Sequence, residues 1–315
     1  PATVEHCAAC GIGNDTPGIK LDERGCCNLC RDFATYADRI DAYFRQRDEL
    51  REVISEAAKR KTGEYDCMAL LSGGKDSTYA LCRLVEMGLS VYAFSLDNGF
   101  ISDGAKENIR RLAETLGVPV EFATTPAMNA IFRDSLMRFS NVCNGCFKTI
   151  YTLSMKRARE LGTSIIVTGL SRGQMFETRL TEEMFRDGAR SPEEVDAAVL
   201  AARKVYHRVA DEATRSLDVS IFEDDRIFDE ITFIDFYRYC DVGLDEVFRR
   251  ANATPVQQTA LQHFWNPDHS HQMSTRLTAV AYIEGDLVVL QDGHVLQFVG
   301  LREARPVFEK ARIAG

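Results

Sequence analysis

The run Ser72-Gly73-Gly74-Lys75-Asp76-Ser77 constrains this chain more than any other stretch. It follows the short apolar segment Cys67 to Leu71 and precedes a helical pattern, so it reads as a strand, a tight glycine turn and a helix start. Two glycines let backbone N–H groups crowd around an anion, two serine hydroxyls add donors, and the first turn of the helix brings its positive dipole end. Such a nest suits phosphate or pyrophosphate. Nothing in the chain reads G-x-x-x-x-G-K-[ST], which argues against a kinase or motor-type ATPase.

What surrounds the loop sets the fold class. From Tyr65 to about Gly173 strand and helix patterns alternate, with strands ending at Leu71, at Leu96 before Asp97-Asn98-Gly99, around Val120 to Ala123, and at Ser164 to Gly169. This predicts an α/β domain, a parallel sheet with helices on both faces, whose ligands sit beyond the carboxyl ends of the strands. Ser72 to Ser77, Asp97, Thr168 and Gly169 all fall at such ends. The expected organisation is a cysteine-rich module over 1–32, amphipathic linker helices over 33–62, the catalytic domain over 63–250 with a helical insertion near 175–230, and a C-terminal element over 251–315 with a β hairpin.

Cys7-x-x-Cys10 and Cys27-x-x-Cys30 read as a zinc ribbon, since four thiolates satisfy tetrahedral zinc and the metal replaces a core that about thirty residues cannot build. A redox cysteine cluster is the alternative. A second pair, Cys143-Asn144-Gly145-Cys146, leads into a helix whose dipole would favour thiolate, and Cys240 lies further along. Cys67 and Cys82 read as buried thiols. The net charge of −9 argues against a broad nucleic-acid face and favours a small-molecule or carrier-bound substrate over transfer RNA. No apolar stretch approaches a membrane span, and the expected location is the cytoplasm, with no membrane partner. The sequence leaves a homodimer open.

The loop SGGKDS resembles the SGG-x-DS loop of the PP-loop ATP pyrophosphatases, enzymes that cleave ATP to AMP and pyrophosphate while adenylating a carbonyl oxygen. That resemblance implies that Ser72, Gly73, Gly74 and Ser77 hold pyrophosphate, that Lys75 neutralises phosphate charge and that Asp76 holds Mg2+ or shapes the loop. It also brings ATP against Asp97, Thr168 and Gly169, although Asp97 also reads as a turn aspartate serving Gly99. Arg172 would reach the phosphates or stay solvated. The N-terminal segment resembles that of zinc-ribbon N-acetyl sugar amidotransferases, which take ammonia from a separate glutaminase. Cys143, Cys146 and Cys240 resemble the three-cysteine [4Fe–4S] site of PP-loop transfer RNA thiolation enzymes; a persulfide-carrying or disulfide-forming Cys143/Cys146 pair, served by a sulfur-donor protein, is an alternative, as are simple packing and a second zinc. Sulfur transfer is the expectation, with nitrogen transfer its rival. His269 and His271 read as a polar surface loop.

Overall fold

The computed structural model describes residues 4–45, 47–186 and 190–242 and, by backbone alone, four further strands between 280 and 310. The chain opens with α1 (Asn28–Ala34), α2 (Ala37–Tyr43) and α3 (Arg47–Ala58). Then β1 (Cys67–Leu70), α4 (Lys75–Glu86), β2 (Val91–Leu96), α5 (Asp103–Leu116), β3 (Val120–Ala123), α6 (Met128–Phe139), α7 (Cys143–Leu161) and β4 (Ile165–Thr168) follow in alternation. The insertion contributes α8 (Arg172–Thr178), α9 (Glu183–Arg186), α10 (Pro192–Arg208), α11 (Glu212–Ser216) and α12 (Ile227–Glu230), before β5 (Thr232–Asp235) and α13 (Phe236–Tyr239).

All five strands run parallel in the order β3-β2-β1-β4-β5. Period-two alternation divides their side chains cleanly between the faces. Cys67, Ala69, Leu71, Val91, Ala93, Ile165 and Val167 pack with Leu50 and Ile54 of α3, Leu81 and Leu84 of α4 and Ile109 of α5. Met68, Leu70, Tyr92, Phe94 and Ile166 pack instead with Tyr151, Met155 and Ala158 of α7 and with Phe222 and Phe228. Apolar positions on both parities explain why these strands read as continuous hydrophobic runs, the mark of a sheet covered on both sides.

The linker helices divide their work. Ile54 and Ala57 of α3 join the sheet core, whereas Tyr36, Ile40, Tyr43 and Phe44 pack against Met175, Leu180, Phe185 and Val195 of the insertion. The expected start of α10 is present: Ser191 and Glu194 form a capping box with Pro192 at the first helical position. The aromatic run from Ile231 becomes β5, a fifth strand that its sequence did not announce. Near the C-terminus the backbone forms β6 (Val280–Glu284), β7 (Leu287–Leu290), β8 (Val295–Arg302) and β9 (Arg305–Lys310), an antiparallel sheet of four strands where a hairpin was expected. His269 and His271 lie outside the described residues. Among the described residues, no helix is long and apolar enough to cross a membrane.

Candidate active site

Strand order reverses direction between β1 and β4, because β2 and β3 build to one side of β1 while β4 and β5 build to the other. Connections leaving β1 and β4 therefore part, and a crevice opens at their carboxyl ends. The glycine loop follows β1, and Thr168-Gly169 ends β4, so both line this crevice.

Local chemistry shapes the loop. Gly73 takes φ +78°, and a Cβ there would stand 3.0 Å from the Ala105 carbonyl oxygen, so the turn needs glycine for its dihedral and its neighbour alike. Gly74 caps α4 with no side chain of its own, which leaves the first amides of that helix facing outward. The Ser72 and Ser77 hydroxyls lie 3.2 Å apart, the Gly74 amide donates to Ser72 Oγ at 3.3 Å, and Ser77 Oγ donates to the Gly74 carbonyl at 3.2 Å. A Cβ on Gly169 would lie 2.5 Å from Ser77 Cα, so the two walls of the crevice meet backbone to backbone. Lys75 Nζ reaches both oxygens of Asp76 at 2.8 Å, so the loop presents this pair as a unit rather than as a free carboxylate. Tyr237 donates its hydroxyl to the Asp76 carbonyl at 3.1 Å, a support from beyond β5 that no local sequence pattern signals.

Asp97 takes the turn role and adds a lysine partner. It accepts from the Gly99 amide at 3.1 Å, as a turn aspartate does, and its other oxygen accepts from Lys106 Nζ at 2.6 Å. Burial alone would raise its pKa, but the Lys106 ammonium and the Gly99 amide outweigh it and hold the carboxyl below its usual range. Lys106, one turn into α5, is thus part of the site, though the sequence reading passed it over. Arg172 is engaged by protein groups: its Nε donates to the Tyr237 carbonyl at 3.2 Å, its Nη1 stands 3.4 Å from Asp241, and its guanidinium lies 4.5 Å from the centre of the Phe44 ring.

The second cysteine pair opens α7. Cys143 is exposed at its first position, while Cys146 is half-buried beside Leu96, Met128 and Ile131 and accepts from Asn98 Nδ2 at 3.6 Å. Asn98 thus ties the pair to the end of β2. The expected helix-dipole activation fails for Cys146, because burial raises its thiol pKa and the Asn98 contact offsets this only in part. Cys240 lies in a different packing environment. It is 2 % exposed and packs in the cluster with Leu50, Leu81 and Ala93, whereas Cys146 packs with Leu96, whose parity belongs to the opposite face of the sheet. Cys67 is fully buried, with its thiol pushed up to about 12 by burial, as expected of an inert thiol.

At the N-terminus the ligand atoms of Cys7, Cys10, Cys27 and Cys30 lie within 4.8 Å of one another. Cys7 and Cys30 sulfurs stand 3.9 Å apart, and Cys10 and Cys27 sulfurs 3.7 Å, against about 3.8 Å for the edge of a tetrahedral zinc–thiolate site. The Cys27 amide donates to Cys7 Sγ at 3.2 Å and the Cys30 amide to Cys27 Sγ at 3.4 Å. The amides of Cys27 and Cys10 lower the Cys7 thiol to about 6, while the neighbouring thiols Cys10 and Cys27 push Cys30 up. Four thiols competing for negative charge at this spacing fit a zinc ribbon, closed by antiparallel bridges between His6 and Gly13 and between Leu21 and Cys27.

Comparison with known proteins bears on the first part of the catalytic domain. Residues 66–150 match the model of the queuosine biosynthesis protein QueC family. An uncharacterised protein of Methanocaldococcus jannaschii, MJ1599, is 26 % identical over 142 residues, which are 45 % of this chain and 50 % of that protein, so the chain spans about half the length of the curated relative it matches. Among solved structures, the U34-tRNA thiolase NcsA from Methanococcus maripaludis with its [4Fe–4S] cluster is 14 % identical, with a TM-score of 0.37 and 90 % of each chain covered. The NH3-dependent NAD synthetase of Campylobacter jejuni is 12 % identical, with a TM-score of 0.35, covering 73 % of this chain and 91 % of its own. The NMN synthetase of Francisella tularensis is 15 % identical, with a TM-score of 0.33, covering 78 % of this chain and 98 % of its own. Structural likeness at these scores is too slight to speak for chemistry. The match spans the glycine loop and the first three strands, so over residues 66–150 the chain is similar to the QueC family, and its SGG-x-DS loop at the end of a parallel strand resembles that of the PP-loop ATP pyrophosphatases.

Proposed function

We propose that this protein adenylates a carbonyl oxygen with ATP and then replaces that oxygen with sulfur carried by Cys143 and Cys146. The observation that carries the reading is the placement of an anion-binding glycine loop and a Cys-x-x-Cys pair at the same edge of one parallel sheet. The loop lies at the switch point, and Asn98 ties the pair to the adjoining strand end.

In the first step the substrate carbonyl oxygen attacks the α-phosphorus, the bond to the bridging oxygen breaks, and pyrophosphate leaves into the donors of Ser72, Gly73, Gly74 and Ser77. Lys75 balances its charge. Magnesium bound with ATP would neutralise phosphate oxygens, and Asp76 is the residue that would hold it. In the second step a persulfide on exposed Cys143, supplied by a sulfur-donor protein, attacks the activated carbon through its terminal sulfur, and AMP departs with the former carbonyl oxygen. Cys146, one turn on, then attacks the Cys143 sulfur. The thiolated product leaves, the two cysteines become a disulfide, and a dithiol reductant resets them, so the two electrons gained by the transferred sulfur come from the pair. A small-molecule or carrier-bound substrate suits the net charge of −9 better than transfer RNA does.

One observation favours a second reading. The buried, raised thiol of Cys146 weakens the sulfur chemistry, and the same adenylate could take ammonia from a glutaminase partner instead. Purified protein with ATP and candidate acceptors tests both. Pyrophosphate release that Ser77→Ala abolishes, in a folded variant, supports adenylation, and its persistence in that variant refutes it. Loss of sulfur incorporation in Cys143→Ser supports sulfur transfer. Ammonia-dependent product formation that survives Cys143→Ser establishes the second reading.

A further inference from the structure

The carboxyl ends of β4 and β5 carry an imbalance of charge. Asp235, the last residue of β5, accepts from Thr168 Oγ1 and from Arg179 Nη1. Arg179 also donates to the Tyr151 hydroxyl at 2.6 Å, so the carboxylate is already engaged by one guanidinium and one hydroxyl. A second guanidinium, Arg203 of α10, arrives at the same place. Its central carbon lies 4.2 Å from the centre of the Phe233 ring and 5.8 Å from that of Tyr151. Arg203 is partly exposed and makes no hydrogen bond or ion pair among the described residues. The groups acting on it are Arg179, Tyr151, Asp235 and Tyr43, so two cations face one carboxylate. Burial, and then the charge of Arg179, lower its pKa to about 10, which still leaves it cationic at neutral pH.

The position of this excess cation matters. Thr168, bonded to Asp235, directly precedes Gly169, which abuts Ser77 of the glycine loop. Along α7, Cys143, Phe147 and Tyr151 recur every fourth residue and share one stripe, which joins the exposed thiol to the arginines over about 12 Å of helix. The aromatic rings of Phe233 and Tyr151 fix the plane of the Arg203 fork, and a guanidinium so held presents parallel donors to a carboxylate or phosphate.

We propose that Arg203, steadied by Arg179, Tyr151 and Phe233, holds an anionic oxygen group of the acceptor substrate, a carboxylate or phosphate on a small metabolite. This assignment rests on the ATP-dependent reading of the glycine loop. An unbalanced cation placed here for a ligand lowers the stability of the free protein, so its removal stabilises the fold while abolishing the response to anions.

Thermal unfolding tests this with inorganic phosphate and with malonate as probes, each in saturating pyrophosphate so that the glycine loop is already filled. In the parent, either anion at about ten times its dissociation constant raises Tm by about 3 °C. Arg203→Met has a Tm no lower than the parent without anion and loses that rise, and Arg203→Lys recovers part of it. A response to phosphate alone assigns a phosphorylated acceptor, and a response to malonate assigns a carboxylate. An equal rise in parent and Arg203→Met, or no rise with either anion in the parent, overturns the proposal. Ser77→Ala keeps the anion response but loses ATP binding. If ATP binding is absent from the parent or untouched by Ser77→Ala, the ATP-dependent reading fails while the anion site stands.

Discussion

His207 allows a sharp test of how this core is built. It lies on α10 with no exposure, stacked on Phe222 with ring centres 4.0 Å apart, and neither ring nitrogen has a hydrogen-bond partner among the described residues. Burial first, and then the charges of Arg203 and Lys148, hold its pKa down to about 3. In an unfolded chain a histidine titrates near pH ~6.5. The folded value is the lower one, so the unfolded chain takes up the proton first. Stability from this residue is therefore complete above roughly pH 6.5 and falls as the pH drops towards about 3. At about pH 5 the unfolded ring is protonated roughly thirtyfold over neutral while the folded ring stays neutral, which amounts to about 2 kcal/mol. His207→Leu removes the titration and an unsatisfied polar ring together. Urea unfolding at pH 7.5 and 5.0, in parent and variant, reads the difference. The parent should lose about 2 kcal/mol more than the variant between the two conditions. Equal losses within about 0.5 kcal/mol would mean that the folded ring is protonated near its ordinary pH, and the buried, unpartnered placement would be refuted.

Three further outcomes follow from the site. Gly169→Ala puts a Cβ against the Ser77 backbone, so the variant should lose about 1–3 kcal/mol of stability and a larger share of its pyrophosphate release, while normal turnover would show that the crevice walls do not touch. Purified protein should hold about one zinc per chain, and Cys27→Ser should reduce that content sharply with the sheet still folded by circular dichroism, whereas full zinc in the variant would place the metal elsewhere. Lys106→Met removes the main group holding the Asp97 carboxyl down. Its titration by carbonyl-carbon NMR should move upward, and the stability Asp97 supplies above its unfolded pKa, lost as the pH falls through the folded one, should shrink; an unmoved titration would rule out the pair.

How far the sequence could be read depended on how local each feature is. Strand, turn and helix around Ser72 to Ser77 are consecutive residues, and the glycine requirement at Gly73 is visible wherever a left-handed turn must precede a helix. The four zinc-ribbon thiols are likewise two short pairs whose geometry follows from spacing. β5 escaped notice because four residues of an aromatic run become a strand only through pairing with β4, and α13 begins at the next residue. The packing of Cys240 was hidden for a related reason. Which face of the sheet it reaches depends on the path after β5, and no cysteine spacing encodes that path. Lys106 and Tyr237 were missed because their partners, Asp97 and Asp76, meet them only across the folded crevice.

The pairing of α2 with the insertion has a mechanical consequence. Arg39 donates to the carbonyls of Phe185 and Arg186, Arg45 pairs with Glu193, and Tyr43 donates to Asp196. The segment after the metal-fitting thiols is thus clamped to α9 and α10, and α10 carries Arg203 while α8 follows directly from the end of β4. Local unfolding of α2 would therefore loosen α10 as well, so the segment that follows the ribbon and the helix that carries Arg203 share one local stability.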